Sequence, residues 1–418
     1  MVIKYIYRLC LLTAALPWTL YSLDAPIVQP KATTSFTQDE VEALKEWVQA
    51  KKQVVGIKSL GGELTFSGEV HAGMSYTNEV VNNVRQRGSG GAVPGVGSRD
   101  FLVEMDLLMN YRTEITWATA KVKFKNRAGI TSGTADKVSL DRAFMGVRFL
   151  EGETYTMALE AGRRKLNYTF DSIIQFSAFM DGLLYKYDQS IESVGDLYLY
   201  GGPFVVDFTE DHYAYIFELG VLNIGNTGLY TKYSLINWDT KSYSNPLRDD
   251  AFRFINSQLT LGYKIVPKWL GKVLTVYGAG LVNSAAKPLA ITNYKKANYA
   301  WYIVWAMGEA RKQGDWSLQV DYQYVMPQAV PSFDCAGIGR GNAAGAGFYS
   351  VDGKFKTPTT IKTATGNTNY KGFEAVFLYL FTNNLTLRQS YQMSIRQNKE
   401  IGPIFRFKQY GMELVYLF

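Results

Sequence analysis

The 418-residue sequence is poor in the residues that usually announce chemistry. It has two histidines, His71 and His212, and two cysteines, Cys10 and Cys335. A hydrolytic triad needs a positioned His with a Ser or Asp. His71 shares a strand face with Glu69, and His212 follows Glu210 and Asp211 at a strand start. Both read as solvated polar residues, and no catalytic group is expected. Two cysteines exclude a disulfide-stapled fold. No metal-ligand spacing, phosphate loop or nucleotide fingerprint occurs. The GIGRG stretch at Gly337–Gly341 lacks the strand-to-helix context and reads as a loop. Neither a metal nor a cofactor is expected. Charge of one sign is not abundant either: 44 basic against 37 acidic residues gives +7, too mild to indicate nucleic acid. Beyond residue 23 no run approaches the roughly 18 uncharged apolar residues of a spanning helix. Proline is sparse at 12, whereas glycine reaches 38, which suits strands joined by turns.

The first 58 residues differ from the rest. Lys4 and Arg8 precede an uncharged apolar stretch, LCLLTAALPWTLYSL at Leu9–Leu23. A basic start before a short apolar segment is the pattern of a secretory signal, so residues 1–23 are expected to be removed after Ser22 or Leu23. Removal would take Cys10 away and leave Cys335 alone. Export argues further against a nucleic-acid partner. Residues 24–58 are expected to be a linker followed by one helix, Thr37–Lys52 (TQDEVEALKEWVQAKK). Thr37 can cap it, Glu40 completes a capping box, and Val41, Leu44 and Val48 form a narrow apolar stripe.

From residue 59 to 418 the hydrophobic period is two. The last strand is the clearest statement of it. Tyr410, Met412, Leu414, Tyr416 and Phe418 fall on one face, and Gln409, Gly411, Glu413, Val415 and Leu417 on the other. Asp315–Met326 repeats the pattern, with Trp316, Leu318, Val320, Tyr322 and Tyr324 against Ser317, Gln319, Asp321 and Gln323. About sixteen such segments follow one another, including Gly62–Tyr76, Arg99–Tyr111, Ser172–Tyr185, Tyr370–Phe381 and Leu385–Arg396. Short connections rich in Gly, Asn and Asp alternate with longer ones, as in membrane barrels. The abundance of aromatics (29 Tyr, 23 Phe, 8 Trp) fits the girdles such barrels carry at both interfaces. The fold class expected is therefore all-β: a transmembrane antiparallel barrel of about 16 strands, preceded by a short helix. An even count places both chain ends on one side.

The terminal residues Tyr410, Met412, Leu414, Tyr416 and Phe418 resemble the C-terminal signal of bacterial outer-membrane barrels. That resemblance implies recognition by the barrel-assembly machinery, an outer-membrane location with periplasmic termini, and contact with membrane lipid and lipopolysaccharide. Sixteen strands leave an aqueous channel, where eight would be filled by side chains. Polar inward faces agree, because a dry core would not tolerate them unpaired. The inward charged positions are candidates for lining such a pore: Glu69, Asp100, Glu104, Asp106, Lys121, Lys123, Arg142, Arg148, Arg164, Asp321, Arg388 and Arg396. The cluster Arg163–Arg164–Lys165 could narrow a mouth, attract anions or touch lipopolysaccharide. Pro327–Asn369 is the longest loop, open to folding inward as a constriction or outward as a surface loop. The stretches Glu160–Ser172 (EAGRRKLNYTFDS) and Leu60–Val70 (LGGELTFSGEV), with the Glu46-Trp47 helix, resemble porins of chlamydia-related intracellular bacteria. This resemblance implies passive diffusion of small hydrophilic solutes and ions, in a homotrimer. A structural or adhesive surface barrel whose loops bind host or partner molecules is the alternative.

Overall fold

A computed structural model describes residues 61–92, 97–127, 137–208, 212–240, 253–288, 295–331, 333–338, 368–399 and 404–418. The expected signal, linker and helix lie outside the described residues. The strands are β1 (Glu63–Val81), β2 (Val84–Arg85), β3 (Arg99–Arg112), β4 (Thr116–Arg127), β5 (Lys137–Glu151), β6 (Tyr155–Lys165), β7 (Phe179–Ile191), β8 (Gly195–Asp207) and β9 (His212–Ile224). They continue with β10 (Leu229–Asn237), β11 (Ile255–Ile265), β12 (Leu274–Asn283), β13 (Tyr299–Gly308), β14 (Trp316–Val325), β15 (Tyr370–Leu380), β16 (Leu385–Arg396) and β17 (Phe405–Leu417).

β2 is a two-residue stub folded back on β1. The other sixteen strands pair in sequence order, all antiparallel, and the sheet closes where β1 meets β17. Among the described residues closure leaves no edge strand, so each strand is flanked by a hydrogen-bonded neighbour on both sides. The seam runs from Glu69 opposite Leu417 to Val81 opposite Phe405. At its end Gly68 and Phe418 exchange backbone hydrogen bonds of 2.9 and 3.0 Å. The closed barrel with about sixteen strands is as the period-two pattern predicts. All described connections at the end of the barrel that holds Glu63 and Leu417 are short. The Asn223–Gly228 turn shows why these residues are used: Asn223, Gly225, Asn226 and Gly228 all take positive φ, at 51°, 57°, 58° and 83°.

One expected strand is displaced. Periodicity begins the strand at Ser172, whereas β7 starts at Phe179. Residues 166–178 leave the wall and fold inward, where Phe170, Ile174 and Phe176 are fully buried. Their apolar spacing mimics a strand because they bury against the inner wall.

The outer face carries an apolar band. Its aromatics fall in two bands set by register. Tyr155, Tyr263, Trp305, Tyr416 and Phe418 lie towards the short-turn end, while Phe101, Tyr213, Tyr215, Tyr299, Trp301, Tyr322 and Tyr410 lie towards the other. Trp301 and Tyr324 stack at 5.6 Å between ring centres.

Candidate functional site

The barrel interior is the site, and two segments shape it. The first, residues 166–178, closes on itself: the Leu166 N–H donates to the Ala178 carbonyl at 2.9 Å, and the Asn167 N–H to the Phe176 carbonyl at 2.8 Å. Phe176 is held at a φ of 74°, uncommon for a bulky residue and tolerated where packing fixes it. Polar ties bind the segment to the wall. Lys232 Nζ meets Asp171 Oδ2 at 3.0 Å, Gln258 Nε2 donates to the Asp171 carbonyl at 2.7 Å, and the Gln175 amide meets that of Gln258 at 3.1 Å.

The second segment, residues 326–338, is the start of the longest loop. Its described part folds inward. Asp334 accepts the Ala178 N–H at Oδ1 (3.0 Å) and the Ser177 N–H at its carbonyl (3.1 Å). The Ala336 N–H donates to the Ile174 carbonyl at 3.1 Å, and the Ile338 N–H to Gln323 Oε1 at 3.2 Å. Two apolar clusters result. One gathers Phe170, Phe176, Phe204 and Trp238; the other gathers Ile174, Tyr302, Val330, Cys335 and Tyr370. Each fully buried side chain contributes about 1.5–3 kcal/mol relative to exposure.

The inner wall is therefore of two kinds. From β9 to β13 its side chains are covered: Ala214, Ile216, Glu218, Ser234, Ile236, Gln258, Thr260, Leu281, Tyr302 and Val304 are all buried. On β15, β16, β17, β1, β3 and β4 the inward residues Glu374, Gln392, Arg388, Gln409, Glu413, Glu69, His71, Glu104 and Lys123 stay half-buried. These polar groups form a strip facing the interior space beside the folded segments.

Most of the charged residues expected inside occur on this strip or at its margins, and they occur paired. Lys121 Nζ lies 2.9 Å from Asp106 Oδ2, and Lys123 Nζ lies 2.9 Å from Glu104 Oε1 and 3.4 Å from Asp106 Oδ2. Glu69 Oε2 is 2.9 Å from His71 Nε2, and Glu413 Oε1 is 2.9 Å from His71 Nδ1. Arg388 Nη1 stands 3.7 Å from Glu413 Oε2. Arg164 is buried, 2.6 Å from Glu160 Oε2 and stacked 3.8 Å from the Phe144 ring. Arg142 is buried over the Tyr168 ring at 4.0 Å. Asp321 is covered and accepts from Gln323 Nε2 at 2.8 Å. The remaining three sit at the ends. Asp100 is half open beside Arg87 at 3.9 Å, Arg148 pairs with Glu151 at the last residue of β5 at 2.8 Å, and Arg396 closes β16. The basic cluster is split by strand alternation: Arg164 points inward, while Arg163 holds Asp181 on the outer face through two 2.7 Å bonds.

Several interior charges escape a period-two reading. Asp141 and Arg142 both point inward because a bulge interrupts β5 opposite Lys121 and Val122. A bulge puts two residues against one, and alternation cannot foresee it. Asp171 lies in a segment read as a connection. Glu218 and Lys232 sit on alternating strands at inward positions, so register alone could have found them. His212 is covered, and its Nε2 donates to the Trp238 carbonyl at 2.7 Å, which engages it structurally.

No family model matches the sequence, and no curated protein matches it. Solved structures do. Pseudomonas putida OprB aligns over 85% of this chain and 94% of its own, at 10% identity and a TM-score of 0.52. Salmonella typhi OmpF, solved in complex with daunomycin, aligns over 86% and 98%, at 12% identity and a TM-score of 0.49. A mutant Rh. blastica porin aligns over 85% and 100%, at 10% identity and 0.43. At these identities the likeness concerns fold alone: the chain is a closed, antiparallel, sixteen-strand barrel, similar in fold to OprB.

Proposed function

We propose that the protein is an outer-membrane porin through which small hydrophilic solutes and ions diffuse passively. The observation that carries this reading is the two-sided interior: five strands of inner wall lie under folded segments, and the facing strip stays polar, charged and half open. A barrel filled for rigidity alone would cover its wall on all sides. Barrels of this strand number hold an aqueous channel, and the exterior carries an apolar band between two aromatic belts, as a lipid-facing surface does.

In this reading Glu69, Asp100, Glu104, Asp106, Lys121, Lys123, Arg142, Arg148, Arg164, Asp321, Arg388 and Arg396 contribute to the field inside the pore. Those on the half-open strip, Glu104, Lys123, Glu69 and Arg388, act most directly, since buried pairs present little net charge to a passing ion. Both termini face the periplasm, the short turns lie there, and residues 1–23 direct export. Tyr410, Met412, Leu414, Tyr416 and Phe418 serve as the assembly signal as well as part of the lipid face. The barrel assembles as a homotrimer in contact with lipid and lipopolysaccharide. The closer kinship, to porins of chlamydia-related bacteria, rests on the segments quoted above.

The experiment is single-channel conductance of the refolded mature protein in a planar bilayer, with reversal potential under a salt gradient. Steps that scale with salt are expected. A correctly folded barrel that passes no current refutes the pore and leaves a structural or adhesive surface barrel.

A further inference from the structure

Neighbouring strands β1 and β3 bring Glu69, His71 and Asp106 together on the inner wall. Glu69 stands directly opposite Asp106, and His71 lies two residues on, on the same face. One ligand atom from each of the three lies within 4.8 Å of the others. Two further observations point to a ligand there. Asp106 is 2% exposed; its Oδ2 meets Lys121 and Lys123, while its Oδ1 has no hydrogen-bond partner among the described residues. Glu413 approaches the Nδ1 of His71 at 2.9 Å. A carboxylate on the far nitrogen of an imidazole fixes the tautomer that offers the near nitrogen to a metal.

We infer that Glu69, His71 and Asp106 form a zinc site on the barrel wall, with Glu413 orienting the imidazole from behind. His71 Nε2 and Glu69 Oε2 stand 2.9 Å apart. Zinc bound at about 2.0–2.1 Å to nitrogen and about 2.0–2.2 Å to oxygen, in tetrahedral geometry, sets those atoms about 3.4 Å apart. The pair must open by about 0.5 Å, within reach of the Glu69 side chain, for the ion to replace their direct contact. A carboxylate oxygen of the buried Asp106, which starts within 4.8 Å of the other two ligand atoms, supplies the third ligand. Two carboxylates balance the charge of the ion. Lys121 and Lys123 hold Asp106 Oδ2 in place and, as cations, oppose the ion, which lowers its affinity. One imidazole with carboxylates suits zinc and its transition-metal neighbours, whereas magnesium prefers oxygen ligands alone.

Titration calorimetry of the refolded mature chain with zinc chloride tests this without reference to conduction. The site is built from wall residues of β1, β3 and β17 and does not require an open channel, so a barrel that passes no current could still bind zinc, and a conducting one could fail to. The chain has two histidines, and His212 is covered, which makes the assignment sharp. One zinc per chain is expected. Binding is lost in His71→Gln and in Asp106→Asn, weakened by about 10-fold or more in Glu413→Gln, and not seen with magnesium chloride. Should Asp106→Asn fail to refold, Glu69→Gln takes its place. Absence of saturable zinc binding by the wild-type protein overturns the inference, and so does wild-type affinity in folded His71→Gln.

Discussion

Residues 166–178 bury Phe170 in one apolar cluster and Ile174 in the other, both fully buried. Truncating them together as Phe170→Ala and Ile174→Ala removes one large apolar anchor from each cluster. Each truncation costs about 2–5 kcal/mol. The two together remove about 4–10 kcal/mol of docking, comparable to the whole stability of many domains. The barrel itself is closed by strand pairing that neither residue joins, so the expected outcome is an undocked segment in an intact barrel. Sixteen strands about 4.8 Å apart, tilted by about 40°, give a circumference of about 100 Å and a backbone radius of about 16 Å. An inner side-chain layer about 5 Å deep leaves a radius of about 11 Å. The wall most continuously covered, β9 to β13, is five strands of sixteen, with Phe204 of β8 and Asp321 of β14 buried at its margins. If the two folded segments together take a matching share, roughly a third, and residues 166–178 about half of it, then undocking them raises conductance about 1.2-fold. Single-channel recording on the refolded variant measures this, with retained heat-modifiable gel mobility as the check on folding. A folded double variant with wild-type conductance would refute the argument that this segment occupies conducting space.

Three other outcomes follow from the same geometry. Lys123→Gln removes a cation from the half-open strip and is expected to move the reversal potential towards cation selectivity, and Glu104→Gln in the opposite direction; no movement in either places the strip outside the ion path. Cys335, 2% exposed in the second folded segment and clustered with Ile174 of the first, is expected to react at least 10-fold faster with a water-soluble maleimide in the Phe170→Ala, Ile174→Ala protein, because protection tracks the population of the opened state; equal rates would mean that the thiol is shielded by something else. A Cβ on Gly372 would meet the Met393 carbonyl oxygen at 1.9 Å. Gly372→Val is therefore expected to cost about 1–3 kcal/mol by forcing β15 from β16, seen as a lower unfolding midpoint in denaturant.

Much of the barrel was legible in the sequence because its cause is local. A strand lining a closed wall turns every second side chain to the same medium, so Trp316 to Val325 and Phe405 to Leu417 announce both their conformation and their faces. The same rule located Glu69, Glu104, Asp106, Lys121 and Lys123 on the inner side. It failed at Ser172–Ala178, where apolar residues bury into the interior. It also missed Asp141, which a bulge turns inward beside Arg142.

The sequence by itself determined the period, the strand number, the polarity of the two faces and the even count that brings both ends together. Each depends on residues adjacent in the chain. Only the tertiary structure decided which stretch of wall is covered and which charges meet. Asp334 reaches Ala178 across 156 positions, and His71 reaches Glu413 across 342. Such contacts exist because closing the sheet brings distant strands side by side and leaves a space that loops can enter, and no local pattern encodes which loop does so.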